Sequence, residues 1–512
     1  MKLGEVLANV SRLPSGVAVN AEVTSLAYDS RRVERGSLFF AIRGEKADGH
    51  DYIPRAIERG AIGVVSERPA PPELASRWIQ VPQIRRALAE AAGAFYDHPD
   101  AFLRLIGVTG TNGKTTTAFL LERILEAAGI PAGLFGTIEY RWHGRTIQAV
   151  NTTPESLDLM SCFDELARSG AQAAVLEVSS HALAQERVWG LHFAAAVFTN
   201  LTRDHLDYHK DFESYFAAKR RLFEGLGTPP PELAVINVDD EWGERLLQLS
   251  GSRQITYGAK PGAQVRVKQF SSDLAGLKAV FETPGGTLDI VSPLVGRPNL
   301  LNILAATATA FGLGIAADKI RSGIEGLEAV PGRFERVDAG QPFLVVVDYA
   351  HTDDALKNVL GVAREMAKNR LLVVFGCGGE RDRSKRPLMG EAAASLADIA
   401  YLTSDNPRAE DPLAILNDVM VGLQRTGRPY QVNVDRETAI RKALEEAREG
   451  DVVVITGKGH ETYQILKEQT IPFDDREVAR KVLRELGYAS PGEPGPSSAG
   501  GLNSQRNRHR TI

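Results

Sequence analysis

A seven-residue loop, GTNGKTT at residues 110–116, constrains this chain more than any other feature. An apolar run, FLRLIGV, precedes it, and TTTAFLLERILEAAG follows. In that second stretch Leu120, Leu121, Ile124, Leu125 and Ala128 recur at helical spacing, and Gly129 is a natural stop. Strand, glycine loop and helix in that order curve backbone N–H groups around phosphate oxygens and add the positive end of the helix dipole. Lys114 supplies a cation, and Thr115 is placed to put its hydroxyl on Mg²⁺. The strict G-x-x-x-x-G-K-[ST] pattern fails at one position, where Val108 replaces the first glycine. The bland alternative is a glycine-rich turn with a capping threonine. The flanking strand and helix favour a nucleotide site, for ATP, built from Gly110, Thr111, Asn112, Gly113, Lys114, Thr115 and Thr116.

The rhythm around this loop predicts an α/β chain in several blocks. Residues 1–98 hold short apolar strands, in SLFFAIRG and AIGVVSE, with a short helix between them that Gly60 ends. From residue 99 strand–loop–helix units repeat: AAVLEVS, FAAAVFTN and LAVINV read as strands, residues 253–293 as a β-rich patch, and LLNILAATATAFGLG as a helix. PGRFERV opens a second change of rhythm at residue 331. Beyond it FLVVVDYAH, LLVVFGCGG, IAYLTSDNP and DVVVITGKG are strands separated by helical spacers. Apolar strands alternating with helices predict parallel sheets buried on both faces, with ligands beyond the strands' carboxyl ends. The segment 489–512 is rich in Pro, Gly and Ser and reads as a disordered tail.

Composition narrows the function. At 512 residues the length suggests about three domains. Lys and Arg number 60 against 65 Asp and Glu, a net charge of −5, so no broad basic field exists to hold nucleic acid. No apolar run approaches the roughly 20 residues of a membrane span, and Glu5 and Asn9 stand where a signal peptide needs an apolar core. Two cysteines, Cys162 and Cys377, are too few for a disulfide framework; Cys377 reads as a small packing residue. A cytoplasmic, multi-domain protein is expected.

Two further motifs suggest chemistry rather than mere binding. Glu177 ends a strand, where an acid could hold magnesium; a buried structural glutamate is the other reading. TNLTRDHLDYH crowds Asp204, His205, Asp207 and His209 into six positions. Read alone it is a possible zinc site, but no matching Cys or His cluster occurs elsewhere, and phosphate-bound magnesium fits better.

GTNGKTT, LEVSSHAL, TNLTRDHLDYH, PGRFE, DYAHT, SDNPRAEDP and GKGHE occur in the order seen in Mur ligases, and the chain resembles that family over about residues 20–480. These are ATP-dependent amide-forming enzymes of bacterial cell-wall synthesis. The resemblance implies three domains: an N-terminal α/β domain for a uridine nucleotide (1–98), a central P-loop ATPase with a parallel sheet (99–330) and a C-terminal Rossmann-like domain for an amino acid (331–488). It is nearest to the members that add meso-diaminopimelate to the D-glutamate γ-carboxylate of a UDP-linked muramoyl-L-alanyl-D-glutamate.

Residue by residue, the resemblance implies uridine contacts at Tyr28, Ser30, Glu45, Lys46 and Ala47, and muramoyl-peptide contacts at Asn151, Thr152, Thr153, Ser179, Gln185 and Arg187. Asn299, Arg333, Asp348 and His351 lie against ATP in the family. Lys219, in AAKR, matches a lysine that becomes carbamylated and holds a second magnesium; from the residues alone it reads as a solvated helical lysine beside Arg220 and Arg221. Lys114, Glu177, His205 and Lys219 are thus the expected catalytic group, and Thr115, Glu177, His205 and carbamylated Lys219 the expected Mg²⁺ ligands. DYAHTDDAL has Asp353 where proline is commoner, which is expected to loosen that turn.

Arg408, in DNPR, is the expected selector. Diaminopimelate differs from lysine by a distal carboxylate, and a guanidinium meets a carboxylate with two parallel hydrogen bonds. Arg381, Asp405, Asn406, Pro407, Gly457 and Glu461 complete the implied amine pocket, with Glu461 facing the distal ammonium. The expected course is attack of the glutamyl carboxylate on the ATP γ-phosphate, then attack of the amine on the acyl phosphate, with closure of the C-terminal domain bringing the amine in line. A monomer acting on small molecules alone is expected. The same chemistry with L-lysine, a folylpolyglutamate synthase-like ligase and a non-catalytic nucleotide-dependent regulator are the rivals.

Overall fold

In the computed structural model of the chain, residues 1–10, 16–44 and 47–488 are described. The predicted loop Glu45 and Lys46 contacts, and the predicted tail, lie outside the described residues. The chain divides into two compact units, Met1–Val330 and a second that begins at Pro331. The break falls in the PGRFE segment, where the sequence changes rhythm.

The first unit contains two sheets. Strands Ser25–Ala27, Ser37–Phe40, Gly63–Ser66 and Trp78–Gln80 pair in parallel, in chain order. All four residues of the second and third strands are buried, which is why they read as unbroken apolar runs. The larger sheet has 11 strands. At its centre strand Arg104–Thr109 lies between Ala173–Glu177 and Ala195–Phe198, all parallel. Ala132–Phe135 flanks one side, and Leu233–Asn237, Arg253–Gly258 and Val265–Asp273 the other, again parallel. Both edges turn antiparallel. Gly276–Thr283 and Gly286–Ser292 close the β-rich patch, and Glu139–Trp142 with Arg145–Gln148 forms a hairpin at the opposite edge. His143 and Gly144 make that hairpin turn with φ of 42° and 79°, the left-handed pair a tight hairpin prefers.

Helix Lys114–Ala127 packs against helices Gly296–Gly312 and Ala317–Glu325 on one face of this sheet. Ten of its residues are buried, so it is a core helix rather than an amphipathic surface one. Helix Phe212–Glu224 starts on Asp211, whose carboxylate accepts from the Ser214 N–H.

The second unit holds a six-stranded sheet and a small antiparallel pair, Tyr463–Ile465 with Thr470–Pro472. Leu344–Asp348, Val452–Thr456, Leu371–Phe375, Ile399–Thr403 and Tyr430–Asn433 run parallel in that spatial order, and Glu335–Arg336 pairs antiparallel at the edge. The order reverses around Val452–Thr456, the last parallel strand in the chain, which sits inside the sheet. In open α/β sheets such a reversal opens the crevice where ligands bind. Asp353 opens helix Asp353–Met366, with Thr352 as N-cap accepting from the Ala355 N–H at 3.2 Å. Asp353 therefore loosens nothing: proline and aspartate both suit the first helical turn, one by its fixed φ and the other by the helix dipole. Cys377 is buried with its Sγ 3.4 Å from Met389 Sδ, and burial pushes its thiol up to about 12. It serves as a small packing residue.

Candidate active site

Gly110 and Gly113 take φ of 147° and 88°, conformations that glycine alone adopts readily. A Cβ at Gly110 would strike Thr199 Oγ1, and one at Gly113 would strike Asn302 Oδ1. The loop is braced from the neighbouring strand end: Thr111 N–H donates to Asn200 O (2.8 Å), Asn112 N–H to Asn200 Oδ1 (2.9 Å), and Thr199 Oγ1 to Asn112 O (2.6 Å). Lys114 Nζ folds over the loop, donating to the carbonyls of Gly110 and Thr111 at 3.0 and 2.9 Å. Asn299 lies in the first turns of the helix beside the loop, and Asn302 Nδ2 donates to its Oδ1 at 3.3 Å. The predicted ATP residues 110–116 and Asn299 thus share one cradle. Thr199, Asn200 and Asn302, which shape it, were not foreseen; TN at the end of FAAAVFTN was the available signal.

Glu177 is 1% exposed at the end of the strand beside that of the phosphate loop. Its Oε2 accepts from Thr115 Oγ1 (2.9 Å) and Thr137 Oγ1 (3.0 Å), and its Oε1 accepts from Thr137 N–H (2.9 Å). A buried carboxylate against the phosphate-loop threonine is a hard-oxygen donor set of the kind Mg²⁺ takes together with nucleotide phosphates. No cluster of three or more His, Cys, Asp or Glu stands ready to hold a metal among the described residues. His209 turns to Ser180 Oγ (2.9 Å) and stacks on Tyr215, while His205 pairs with Asp204 at 3.3 Å and packs edge-on against His181.

Lys219 is 1% exposed, not a solvated helical lysine. Its Nζ donates to Gly110 O at 2.7 Å and lies 4.6 Å from the Tyr215 ring centroid. Burial first, then the Lys114 cation, holds this ammonium well below the ordinary lysine range, with Asp204 opposing. The helix thus delivers a buried lysine Nζ to the back of the phosphate loop.

Several of the residues expected to contact the peptide substrate are linked to one another near the strand that ends in Glu177. Thr152 Oγ1 is 3.1 Å from Thr137 Oγ1, and Thr153 Oγ1 donates to Glu177 O at 2.8 Å while accepting the Ser179 N–H at 3.0 Å. Arg187 donates to Thr153 O (2.9 Å) and Gln185 Oε1 (2.8 Å). Asn151 N–H donates to the Tyr140 hydroxyl at 3.1 Å. In the small sheet's domain, Tyr28 OH donates to Asp158 Oδ2 at 2.5 Å, on the helix that follows NTTP, and burial and that carboxylate raise the phenol's pKa. Ser30 is buried and Ala47 exposed, and neither bonds to the 151–187 group.

In the second unit Asp348 ends its strand with Oδ2 accepting Phe334 N–H (2.7 Å) and Oδ1 accepting Ala350 N–H (2.8 Å), which fixes the PGRFE turn. Arg333 lies 4.7 Å over the Tyr349 ring, and His351 packs edge-on against the same ring. The three expected ATP residues of this unit therefore group around Tyr349.

DNPR and GKGHE meet beyond the ends of Ile399–Thr403 and Val452–Thr456, the two strands that flank Leu371–Phe375. Arg408 holds a left-handed φ of 54°, with its N–H on Ile465 O at 3.1 Å. Its Nη1 donates to Gly379 O at 2.7 Å and more weakly to Asn406 O at 3.5 Å; Nε and Nη2 bond to no described residue. Burial, then Arg381, depresses this guanidinium's pKa, with Asp405 and Glu461 opposing. Asn406 Nδ2 donates to Glu461 Oε2 at 2.8 Å. Gly457 has φ of 113°, and a Cβ there would strike Asp405 Oδ2. Pro407 sits between Asn406 and Arg408, its carbonyl close against Gly379. The buried Lys458 was not foreseen, nor was Thr137.

Three stretches match one family: residues 22–96 the Mur ligase family catalytic domain, 108–310 the Mur ligase middle domain, and 332–459 the Mur ligase glutamate ligase domain. The UDP-N-acetylmuramoyl-L-alanyl-D-glutamate–2,6-diaminopimelate ligase of Solibacter usitatus is 56% identical over 491 residues, covering 95% of this chain and 99% of the relative. A solved structure of a ligase of the same name superposes with a TM-score of 0.67 at 33% identity, over 95% of this chain and 99% of that one. MurF ligase from Thermotoga maritima, in complex with ADP, shares the fold with a TM-score of 0.60 at 19% identity, over 91% and 97% of the two chains.

Proposed function

The chain belongs to the Mur ligase family, and on that premise we propose that it joins meso-2,6-diaminopimelate to the D-glutamate γ-carboxylate of UDP-N-acetylmuramoyl-L-alanyl-D-glutamate, coupled to cleavage of ATP. The observation that supports the amine substrate is the open Nε–Nη2 edge of Arg408 beside Glu461. A distal carboxylate satisfies that edge with two parallel hydrogen bonds, and a distal ammonium faces the acid. Lysine leaves the depressed, half-buried guanidinium unpaired.

In this reading the glutamyl carboxylate attacks the γ-phosphorus of ATP. The bond to the β-phosphate oxygen breaks, ADP leaves, and an acyl phosphate forms. The amine then attacks the acyl carbon, inorganic phosphate departs and the ammonium proton is lost to solvent. A free carboxylate is a poor acyl donor because its leaving group is oxide; phosphorylation replaces it with a good one. Lys114 exchanges its two loop carbonyls for phosphate oxygens and neutralises them, and the loop N–H groups fix their direction. Asn151, Thr152, Thr153, Ser179, Gln185 and Arg187 hold the peptide end of the acceptor beside Glu177, with Tyr28, Ser30 and residues 45–47 on the uridine. Arg333, Asp348 and His351 complete the ATP contacts, and Arg381 assists Arg408.

Thr115, Glu177 and His205 are the side chains that fit Mg²⁺, which when bound draws negative charge from the transferring phosphoryl group. Lys219, whose ammonium burial disfavours, is the side chain that would carry a carbamate: addition of its amine to CO₂ with loss of a proton would turn a buried cation into an anion suited to that ligand set. No helix among the described residues is long and apolar enough to cross a membrane, and a monomeric enzyme acting on soluble precursors in the cytoplasm completes the proposal.

The test is phosphate release from ATP with the muramoyl dipeptide plus either diaminopimelate or L-lysine. Turnover with diaminopimelate and little with lysine is expected. Equal turnover with both removes Arg408 as selector, turnover with a folate acceptor instead favours the folylpolyglutamate reading, and no turnover with any acceptor favours a regulator.

A further inference from the structure

Lys458 is one of the few fully buried lysines among the described residues, with a side chain 0% exposed. Its ammonium donates to Glu461 Oε2 at 2.9 Å and to Asn406 Oδ1 at 3.1 Å. The Ile465 N–H donates to the same Asn406 Oδ1 at 2.9 Å. With its oxygen held by two donors, the Asn406 amide has one orientation left, and its Nδ2 donates to Glu461 Oε2 at 2.8 Å. Both bonds to Glu461 therefore fall on Oε2, and Oε1 takes no hydrogen bond from any described residue. The carboxylate is pinned by one oxygen and presented by the other.

We infer that Lys458 is a positioning residue for the amine substrate: with Asn406 it occupies Glu461 Oε2 so that Oε1 receives the substrate's distal ammonium. The inference rests on the reading of this pocket as the diaminopimelate site. Two physical consequences follow from the geometry. Lys458 sets its cation against Glu461 in a site that carries Arg408 and Arg381 as well, so the acid is paired on one oxygen only. It also locks the asparagine amide, whose flip would set its oxygen against the Glu461 carboxylate. Arg408 recognises the distal carboxylate, and the Lys458–Asn406–Glu461 cluster recognises the distal nitrogen. The two halves of the distal amino-acid group are read by separate side chains.

That separation gives the test. L-2-aminopimelate keeps the distal carboxylate and lacks the distal amine. In Lys458→Met the KM for meso-diaminopimelate should rise by about tenfold or more. The KM or, by calorimetric titration, the Kd of L-2-aminopimelate should change by less than about threefold, as should kcat and the KM for ATP. Should Lys458→Met not fold, Lys458→Gln, whose amide keeps a donor for Asn406 Oδ1, is measured with the same two amines. Equal shifts for both amines overturn the inference, as does a loss confined to thermal stability or kcat, or failure of both variants to fold. Wild-type protein that releases no phosphate in response to diaminopimelate overturns instead the reading on which the inference rests.

Discussion

Arg408 combines three costs at one position: a left-handed backbone at φ 54°, a partly desolvated cation, and a nearby like charge on Arg381. Each is unfavourable alone, of the order of 1 to 3 kcal/mol for the backbone term, and together they describe a group held ready for an anion. Arg408→Lys keeps the charge but not the planar fork. It should raise the KM for diaminopimelate about ten- to a hundredfold and narrow the gap in kcat/KM between diaminopimelate and lysine, read by steady-state phosphate release with each amine. Lys219 poses the opposite case, a cation suppressed by burial where an anion is proposed. Lys219→Ala should lower kcat about a hundredfold or more, and short carboxylic acids such as acetate, small enough for the vacated space, should restore part of it. Restoration by an amine such as ethylamine and not by acetate would contradict the carbamate. The burial of Lys219 was not legible beside Arg220 and Arg221. Only the packing of Tyr215 and the Gly110 carbonyl around its Nζ separates it from its solvated neighbours.

At the scale of elements, the strand ends rather than the strands carry the chemistry. The buried strands were legible because both faces are covered and the runs are uniformly apolar, as in Val452–Thr456. The loops after them were legible because glycine, asparagine and charge cluster there. The edge hairpin around His143 and Gly144 was not, since half its residues face solvent and its pattern is weak. Least legible was what joins the loops. Arg436 and Asp475 form an ion pair with both side chains 0% exposed, and Arg436 also donates to Ser404 O (3.3 Å) and Thr456 O (2.8 Å). One guanidinium thus ties the ends of the two strands that lead into DNPR and GKGHE, although 39 residues separate it from its acid. Asp475→Asn should cost about 3–5 kcal/mol of stability by leaving that cation buried without its counter-charge, as measured by chemical denaturation. The double variant Arg436→Met, Asp475→Leu should recover much of the loss while still loosening the pocket. In the first unit Gly113→Ala should abolish ATP binding, since a Cβ meets Asn302 and φ of 88° disfavours alanine; equilibrium nucleotide titration checks it.

At the scale of the molecule, each hydrophobic cluster of the described residues lies within one unit: three in Met1–Val330 and two after Pro331. Units with their own cores and sheets unfold with their own midpoints, so calorimetry should resolve two transitions and a calorimetric enthalpy exceeding the van't Hoff value. Acid offers a way to tell which is which. His460, in the second unit, is pushed down to about 3, first by burial and then by Arg333, Arg476, Lys458 and His351, and its Nδ1 is buried without a hydrogen-bond partner. The unfolded chain binds this proton near the ordinary histidine value of about 6.5, the folded one only near 3. Between those values the unfolded state holds more protons, so stability is full above about pH 6.5 and declines as pH falls toward 3. Lowering the pH from 7 to 4 should therefore depress one of the two transitions more than carboxylate protonation alone, and His460→Gln should reduce that extra depression while leaving the other transition where it was. An acid response identical in wild type and His460→Gln would show that the imidazole is protonated in the folded protein, and that the cations around it do not hold it neutral.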